Sequence, residues 1–147
     1  MTTISYKEGI IAYDGRAVGG HRIVDDNFNK KYVRDGIICF MCGEVGALDT
    51  LLDMYVSDCL FEEKLIDIEA SAIIVDGDLL LHIGLSEGSL YKNPLDPKKH
   101  YSIGSGSDYS LMAMDLGKTA RESIVMASKR DIYTGGSIKT FKTKWIK

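Results

Sequence analysis

The sequence predicts an α+β domain of antiparallel sheets with helices packed against their outer faces. Strand-like and helix-like segments come in blocks and not in strict alternation, which disfavours a parallel, doubly wound sheet. Asp-Gly pairs at 35–36 and 76–77 each separate two apolar runs, the mark of a tight hairpin. Beyond residue 44, and again beyond 107, the apolar spacing changes to that of a helix.

Residues 2–7 mix β-branched, aromatic and polar side chains, Glu8-Gly9 signals a turn, and 10–13 are apolar again. The chain therefore opens on a hairpin. Asp14-Gly15 and Gly19-Gly20 break it. A second hairpin spans 31–34, Asp35-Gly36 and 37–42, and Gly43 ends it. Leu48, Leu51, Leu52 and Tyr55 then predict a helix from Glu44 to about residue 61. The third hairpin spans 70–75, Asp76-Gly77 and 79–83. Residues 86–99, with Gly88, Pro94 and Pro97, read as a loop. A helix follows from near Ser107 to Gly117, a residue suited to a helix end. The next opens on Thr119-Ala120-Arg121-Glu122, a capping-box pattern, and ends near Arg130. A last strand spans 137–142, and there is no internal repeat or low-complexity stretch.

The chain has 147 residues, enough for one domain (1–147) with one sizeable core. Apolar residues make up 45% and charged residues 27%, the balance of a folded soluble protein. A net charge of −3 without a Lys/Arg run argues against nucleic acid or an anionic membrane as the partner. No apolar run spans a membrane and no signal peptide is evident, and three cysteines without a framework suggest reduced thiols in a cytoplasm. Cys39 and Cys42 have CxxC spacing, but residues three apart on a strand face opposite ways, so they read, with Cys59, as packing residues. His21, His82 and His100 lack ligand-like spacing, and no catalytic metal is expected. Gly104-Ser105-Gly106 is followed by no Gly-Lys-Ser/Thr, which argues against a nucleotide loop.

Thr2 becomes the first residue if Met1 is removed, and its small side chain permits that removal. A threonine hydroxyl is a weak nucleophile and needs an adjacent base. A free α-amine, with a pKa of about 7.7–8.0, is such a base, so one residue can supply both. Taken alone, Thr2 reads as the start of an edge strand.

Its surroundings resemble the proteasome β-subunit family. The likeness rests on Thr2-Thr3-Ile4, Asp14-Gly15-Arg16-Ala17 with Gly20, Asn29-Lys30, Met41-Cys42-Gly43, Gly104-Ser105-Gly106-Ser107 and, above all, 130–137, Arg-Asp-Ile-Tyr-Thr-Gly-Gly-Ser. Residues 119–122 are similar to the bacterial two-ring relative that works with a separate ATP-driven unfoldase. The resemblance runs from Thr2 to about Phe141 and implies an N-terminal-nucleophile hydrolase with an αββα four-layer sandwich.

It also implies roles. Thr2 attacks the scissile carbonyl, Lys30 lowers the pKa of the amine or hydroxyl, and Asp14 holds Lys30. The Gly43 N–H donates to the oxyanion. Ser105, Asp131 and Thr134 surround the Thr2 amine. Ala17, Phe28, Tyr32, Met41 and Val45 match the primary specificity pocket, and Val18 runs beside the substrate backbone. None of them is charged, which favours cleavage after bulky apolar residues. Lys31 stands beside Lys30, but spacing from Asp14 and the preceding Asn29 make Lys30 the better match; Asp14-Gly15 is also an ordinary turn pair.

No cofactor is required for peptide hydrolysis, although main-chain carbonyls near Asp131–Thr134 admit a monovalent or divalent cation. The partners implied are further copies of the chain in hexameric or heptameric rings stacked in pairs, an unfoldase, and unfolded polypeptides. The sequence departs from the family between Cys42 and Ala70, where the second of two helices is shortened or absent. Met1 alone precedes Thr2, which implies trimming by an aminopeptidase. The competing readings are a non-catalytic ring subunit and a small-amide amidohydrolase of the same fold.

Overall fold

The computed structural model describes residues 2–57, 69–87 and 89–146, the side chain of Val45 excepted. Its strands are β1 (Thr3–Lys7), β2 (Ile10–Asp14), β3 (Ala17–Gly19), β4 (Arg22–Asp25), β5 (Lys31–Arg34), β6 (Ile37–Gly43), β7 (Ala70–Asp76), β8 (Leu79–Ser86), β9 (Ser89–Pro94), β10 (Tyr101–Gly104) and β11 (Ile138–Lys142). Its helices are α1 (Leu48–Ser57), preceded by a 3-10 turn Val45–Ala47, then α2 (Ser107–Asp115) and α3 (Ala120–Ser128). One antiparallel sheet has the order β10-β1-β2-β11, a second β5-β6-β7-β8-β9, and β3-β4 form a separate ribbon.

Alternation along the strands makes the layers. On β1 and β2, Ile4, Tyr6, Ile11 and Tyr13 face the other sheet and meet Phe40, Ile73, Val75 and Leu80 in the central core. Tyr13, Phe40 and Phe141 pack ring to ring there, with centroids 5.2 and 5.5 Å apart. The intervening residues of β6 and β7, among them Cys39, Met41, Ala72 and Ile74, face outward and are covered by Leu51, Leu52 and Met54 of α1. On the other side, Ala12 packs under Ala120 and Ile124 of α3. Small residues let α3 come close: the Ser123 hydroxyl donates to Ser5 at 3.0 Å. The result is helix, sheet, sheet, helix, the αββα sandwich expected.

The three hairpins close as predicted, with left-handed glycines at Gly9, Gly36 and Gly77. The capping box at α3 is present: Thr119 Oγ1 accepts from the Glu122 N–H and Glu122 Oε1 from the Thr119 N–H, both at 3.1 Å. Residues 86–99 are not all loop. β9 pairs there with β8 as an edge strand, which tolerates Pro94 at its end because an edge leaves one row of N–H groups without a ladder partner. The end of the first helix beyond residue 57, the stretch 58–68 where the second helix is expected to be lost, Cys59 and Gly88 lie outside the described residues. No helix among the described residues is long and apolar enough to cross a membrane.

Candidate active site

The register of the first hairpin fixes the site. Ile4 pairs with Tyr13, so the next position outward sets Thr3 against Asp14, at the end of β2. The Thr3 N–H donates to Asp14 Oδ1 at 3.1 Å. Thr2 thereby stands at the mouth of the sandwich, and its side chain turns inward, 2% exposed. Its hydroxyl donates to Asp14 Oδ1 and accepts from Lys30 Nζ. Lys30 pairs with Asp14 Oδ1 at 2.8 Å, both groups buried. Of the two adjacent lysines, only Lys30 reaches Thr2. Lys31 turns the other way and lies 4.7 Å over the Phe141 ring.

Asp14 accepts from five donors: the Thr2 hydroxyl, the Lys30 ammonium and the N–H groups of Thr3, Arg16 and Gly135. This is far more than an ordinary Asp-Gly turn provides. It compensates the removal of two opposite charges from water. Burial pushes the Lys30 pKa below its ordinary 10.5, and the Asp14 carboxylate opposes that shift without cancelling it.

A second carboxylate cluster flanks the first. Asp131, just beyond α3, accepts at Oδ2 from the hydroxyls of Ser105 and Thr134, each at 2.6 Å, and at Oδ1 from the Tyr133 N–H. The Ser105 hydroxyl stands 3.5 Å from the Thr2 carbonyl oxygen. Thr134 Oγ1 is also 2.6 Å from Thr3 Oγ1. The single Thr134 proton goes to Asp131, so Thr3 must be the donor in that pair. Thr3 was given no role from the sequence, yet it joins the two clusters, its N–H to Asp14 and its hydroxyl to Thr134. Gly104 completes the corner. Its φ is +100°, and a Cβ there would lie 1.8 Å from the Thr2 carbonyl oxygen, so only glycine fits.

A pocket of about 70 Å³ opens beside Thr2. Ala17, Val18, Phe28, Tyr32 and Met41 line it, and Gly43 lies at its wall with φ +112°. The side chain of Val45 lies outside what is described. Arg16 and Cys42 also line the pocket and were not anticipated. Cys39 and Cys42 face opposite sides of the sheet, under α1 and toward the central core respectively. Burial raises both thiols, Cys39 to about 12, so neither is a ready nucleophile. Among the described residues no cluster of His, Cys, Asp and Glu could hold a metal. Near residues 131–134, the Ile132 carbonyl already accepts from Arg16 and the Asp131 carbonyl from the Thr134 N–H.

The site thus holds a hydroxyl between an ammonium and a carboxylate, beside an apolar pocket and a second set of hydroxyls. No family model and no curated protein matches the sequence. Solved structures do. Eukaryotic HslV from Trypanosoma brucei superposes with a TM-score of 0.67 at 14% identity, over 96% of this chain and 98% of that one. Thiobacillus denitrificans BPH in complex with epoxomicin gives 0.65 at 16% identity, over 95% and 96%. BPH alone gives 0.65 at 17%, over 95% of each chain. At such identities the likeness is one of fold, and it extends over nearly the whole of each chain: this protein has the fold of HslV and BPH, the sandwich that the resemblance to proteasome β-subunits implies.

Proposed function

We propose that this chain is the subunit of a ring-shaped threonine peptidase whose nucleophile is the mature N-terminal Thr2. The observation that carries the reading is the Thr2 hydroxyl bridged between Lys30 and Asp14 at the edge of an apolar pocket. The αββα fold shared with HslV supports it.

In this reading Met1 is removed first, freeing the Thr2 amine. The amine takes the hydroxyl proton as Oγ1 bonds to the scissile carbonyl carbon, and the carbonyl electron pair moves onto oxygen, toward the Gly43 N–H. Lys30 stabilises the charge developing on Oγ1. The intermediate collapses, the C–N bond breaks, and the leaving amine takes the proton back from the α-ammonium. A water molecule, deprotonated by the same amine, then hydrolyses the ester. Ser105, Asp131 and Thr134 orient the amine. The pocket takes an apolar side chain, and β3, whose Val18 borders it, offers its edge to the peptide backbone. The route needs no cofactor; a cation on the carbonyls of 131–134 would only stiffen that turn.

The reading includes self-assembly into hexameric or heptameric rings, with unfolded polypeptides as substrates, a separate unfoldase as partner and the cytoplasm as location. Tyr109, Leu111, Met112, Leu116, Val125 and Met126 on or next to α2 and α3 are exposed apolar side chains that a neighbouring subunit would cover.

Mass spectrometry tests it. BPH forms a complex with epoxomicin, and the same peptide epoxyketone is the probe here. The expected result is loss of Met1, one adduct per chain on Thr2, and a native mass of a closed ring. A chain that lacks Met1, forms rings and takes up no adduct would defeat the catalytic assignment.

The pH profile is a second expected outcome. The rate should rise as the α-amine loses its proton, near or below about pH 8 because Lys30 stands beside it. It should fall as Lys30 becomes neutral. Burial lowers the Lys30 pKa, so the alkaline limb should come below pH 10.5. A rate still climbing at pH 10.5 would show that Lys30 is not the charged group required.

A further inference from the structure

The stretch 131–135 carries Asp131 and Thr134, yet little burial holds its tip: Ile132 is 72% exposed and Tyr133 39%. Its far end is tied to the first cluster, the Gly135 N–H donating to Asp14 Oδ2 and the Gly135 carbonyl accepting from the Gly15 N–H, and what grips the exposed tip is Arg16. The Arg16 guanidinium donates through Nη1 to the Ile132 carbonyl at 3.1 Å. It lies against Gly135 so closely that a Cβ there would be 2.6 Å from the guanidinium carbon. The same guanidinium forms a two-point pair with Asp26, Nε to Oδ1 at 2.8 Å and Nη2 to Oδ2 at 3.3 Å. Two parallel bonds fix the plane of the fork, and hence the direction of its remaining N–H groups. Asp26 is anchored in turn, because its carbonyl accepts from the Ser137 N–H at 2.8 Å, and Gly136 lies so near that a Cβ there would be 2.3 Å from the same carbonyl oxygen. Asp26 lines neither the Thr2 pocket nor any hydrogen bond to Thr2, Lys30 or Asp131.

We infer that Asp26 is a positioning residue for hydrolysis: it aims Arg16, and Arg16 latches the 131–135 turn so that Asp131 and Thr134 stand in place beside Thr2. The inference rests on the peptidase reading for its kinetic consequence, not for its structural one. When the latch opens, the turn loses its outer grip. Thr134 and Asp131 then wander relative to Thr3 and Ser105, while Phe28, Tyr32 and Met41 keep their places in the specificity pocket. A displacement of about 1 Å in such a group costs on the order of 100-fold in rate.

The test compares Asp26→Asn, Arg16→Met, the double variant and Asp26→Glu, all in the full chain with Met1 removed. Hydrogen exchange followed by mass spectrometry reads the latch without any need for activity. Peptides covering 131–136 should exchange about 10-fold faster in Asp26→Asn and Arg16→Met, while those from β7 and β8 should not change. Steady-state kinetics on an apolar peptide substrate should show kcat falling about 10- to 100-fold in Asp26→Asn, with KM within about twofold. The double variant should be no worse than the worse single one, because both substitutions open one latch. Asp26→Glu, which keeps the charge, should recover most of kcat. Unchanged exchange at 131–136, or additive losses in the double variant, would overturn the proposal. Faster exchange with an unaltered kcat would overturn the positioning role. A wild-type chain that hydrolyses nothing would sink the peptidase reading alone, and the exchange data would still decide whether the latch exists.

Discussion

Replacing Thr2 with alanine should lower peptidase activity by at least about 1,000-fold while the assembled particle stays intact. Losing the nucleophile of a covalent mechanism leaves only oxyanion stabilisation and substrate binding, and losses of this size follow in other hydrolases. The substitution should be gentle on the fold. It removes one hydroxyl that donates to Asp14 and accepts from Lys30, but the 2.8 Å pair between those two remains. The expected stability loss is therefore about 0.5–1.5 kcal/mol. Thr2→Ser, which restores a hydroxyl, should regain measurable turnover. Progress curves on a fluorogenic peptide, with native mass spectra of each variant, would check all three statements. Intact particles with unchanged activity in Thr2→Ala would remove the nucleophile assignment outright.

Asp14→Ala should have the opposite profile, being costly to both stability and activity. It takes away the acceptor of five donors and leaves the Lys30 ammonium buried without its counter-charge. Breaking a buried pair on one side costs about 3–5 kcal/mol. Native domains hold only about 5–15 kcal/mol in all, so the variant should be at the margin of folding. Asp14→Ala combined with Lys30→Met should recover part of that loss, because no unpaired charge stays inside. Urea unfolding of wild type, both single variants and the double would measure the coupling. If the double variant proved as unstable as the sum of the singles, the penalty would lie in the backbone N–H groups of Thr3, Arg16 and Gly135 and not in the lysine.

The hairpins were legible because their turns demand unusual backbone. Glu8, Asp35, Gly9, Gly36 and Gly77 all have positive φ, and Asp-Gly or Glu-Gly writes that demand into the sequence. The ribbon β3-β4 left a trace of its turn, Gly19-Gly20 with Gly20 at positive φ, but none of its strands. Arg22–Asp25 are exposed throughout, so no alternation of apolar and polar residues marks the strand. β10 has four residues, too few for a pattern, and exists because β1 lies beside it. At the site, the residue types at 2, 14 and 30 suggested catalysis mainly through their likeness to a family, and spacing favoured Lys30 over Lys31 without showing why. Burial decides between them. The parts that stayed hidden are those made of backbone or of register: the Gly135 and Thr3 N–H groups, the Thr3 hydroxyl and the Arg16 side chain. An amide N–H has no letter of its own.

The five donors on Asp14 come from four separate places along the chain: 2–3, 16, 30 and 135. A ribosome makes the first of these at once and the last only when little more than the final strand is still to come. Through almost all of synthesis the threonine is therefore an ordinary polar residue, with neither its lysine nor its carboxylate held in position. If Thr2 is the nucleophile proposed above, its lysine and carboxylate are brought to it by the order in which the fold can close, and not by the order in which they are made.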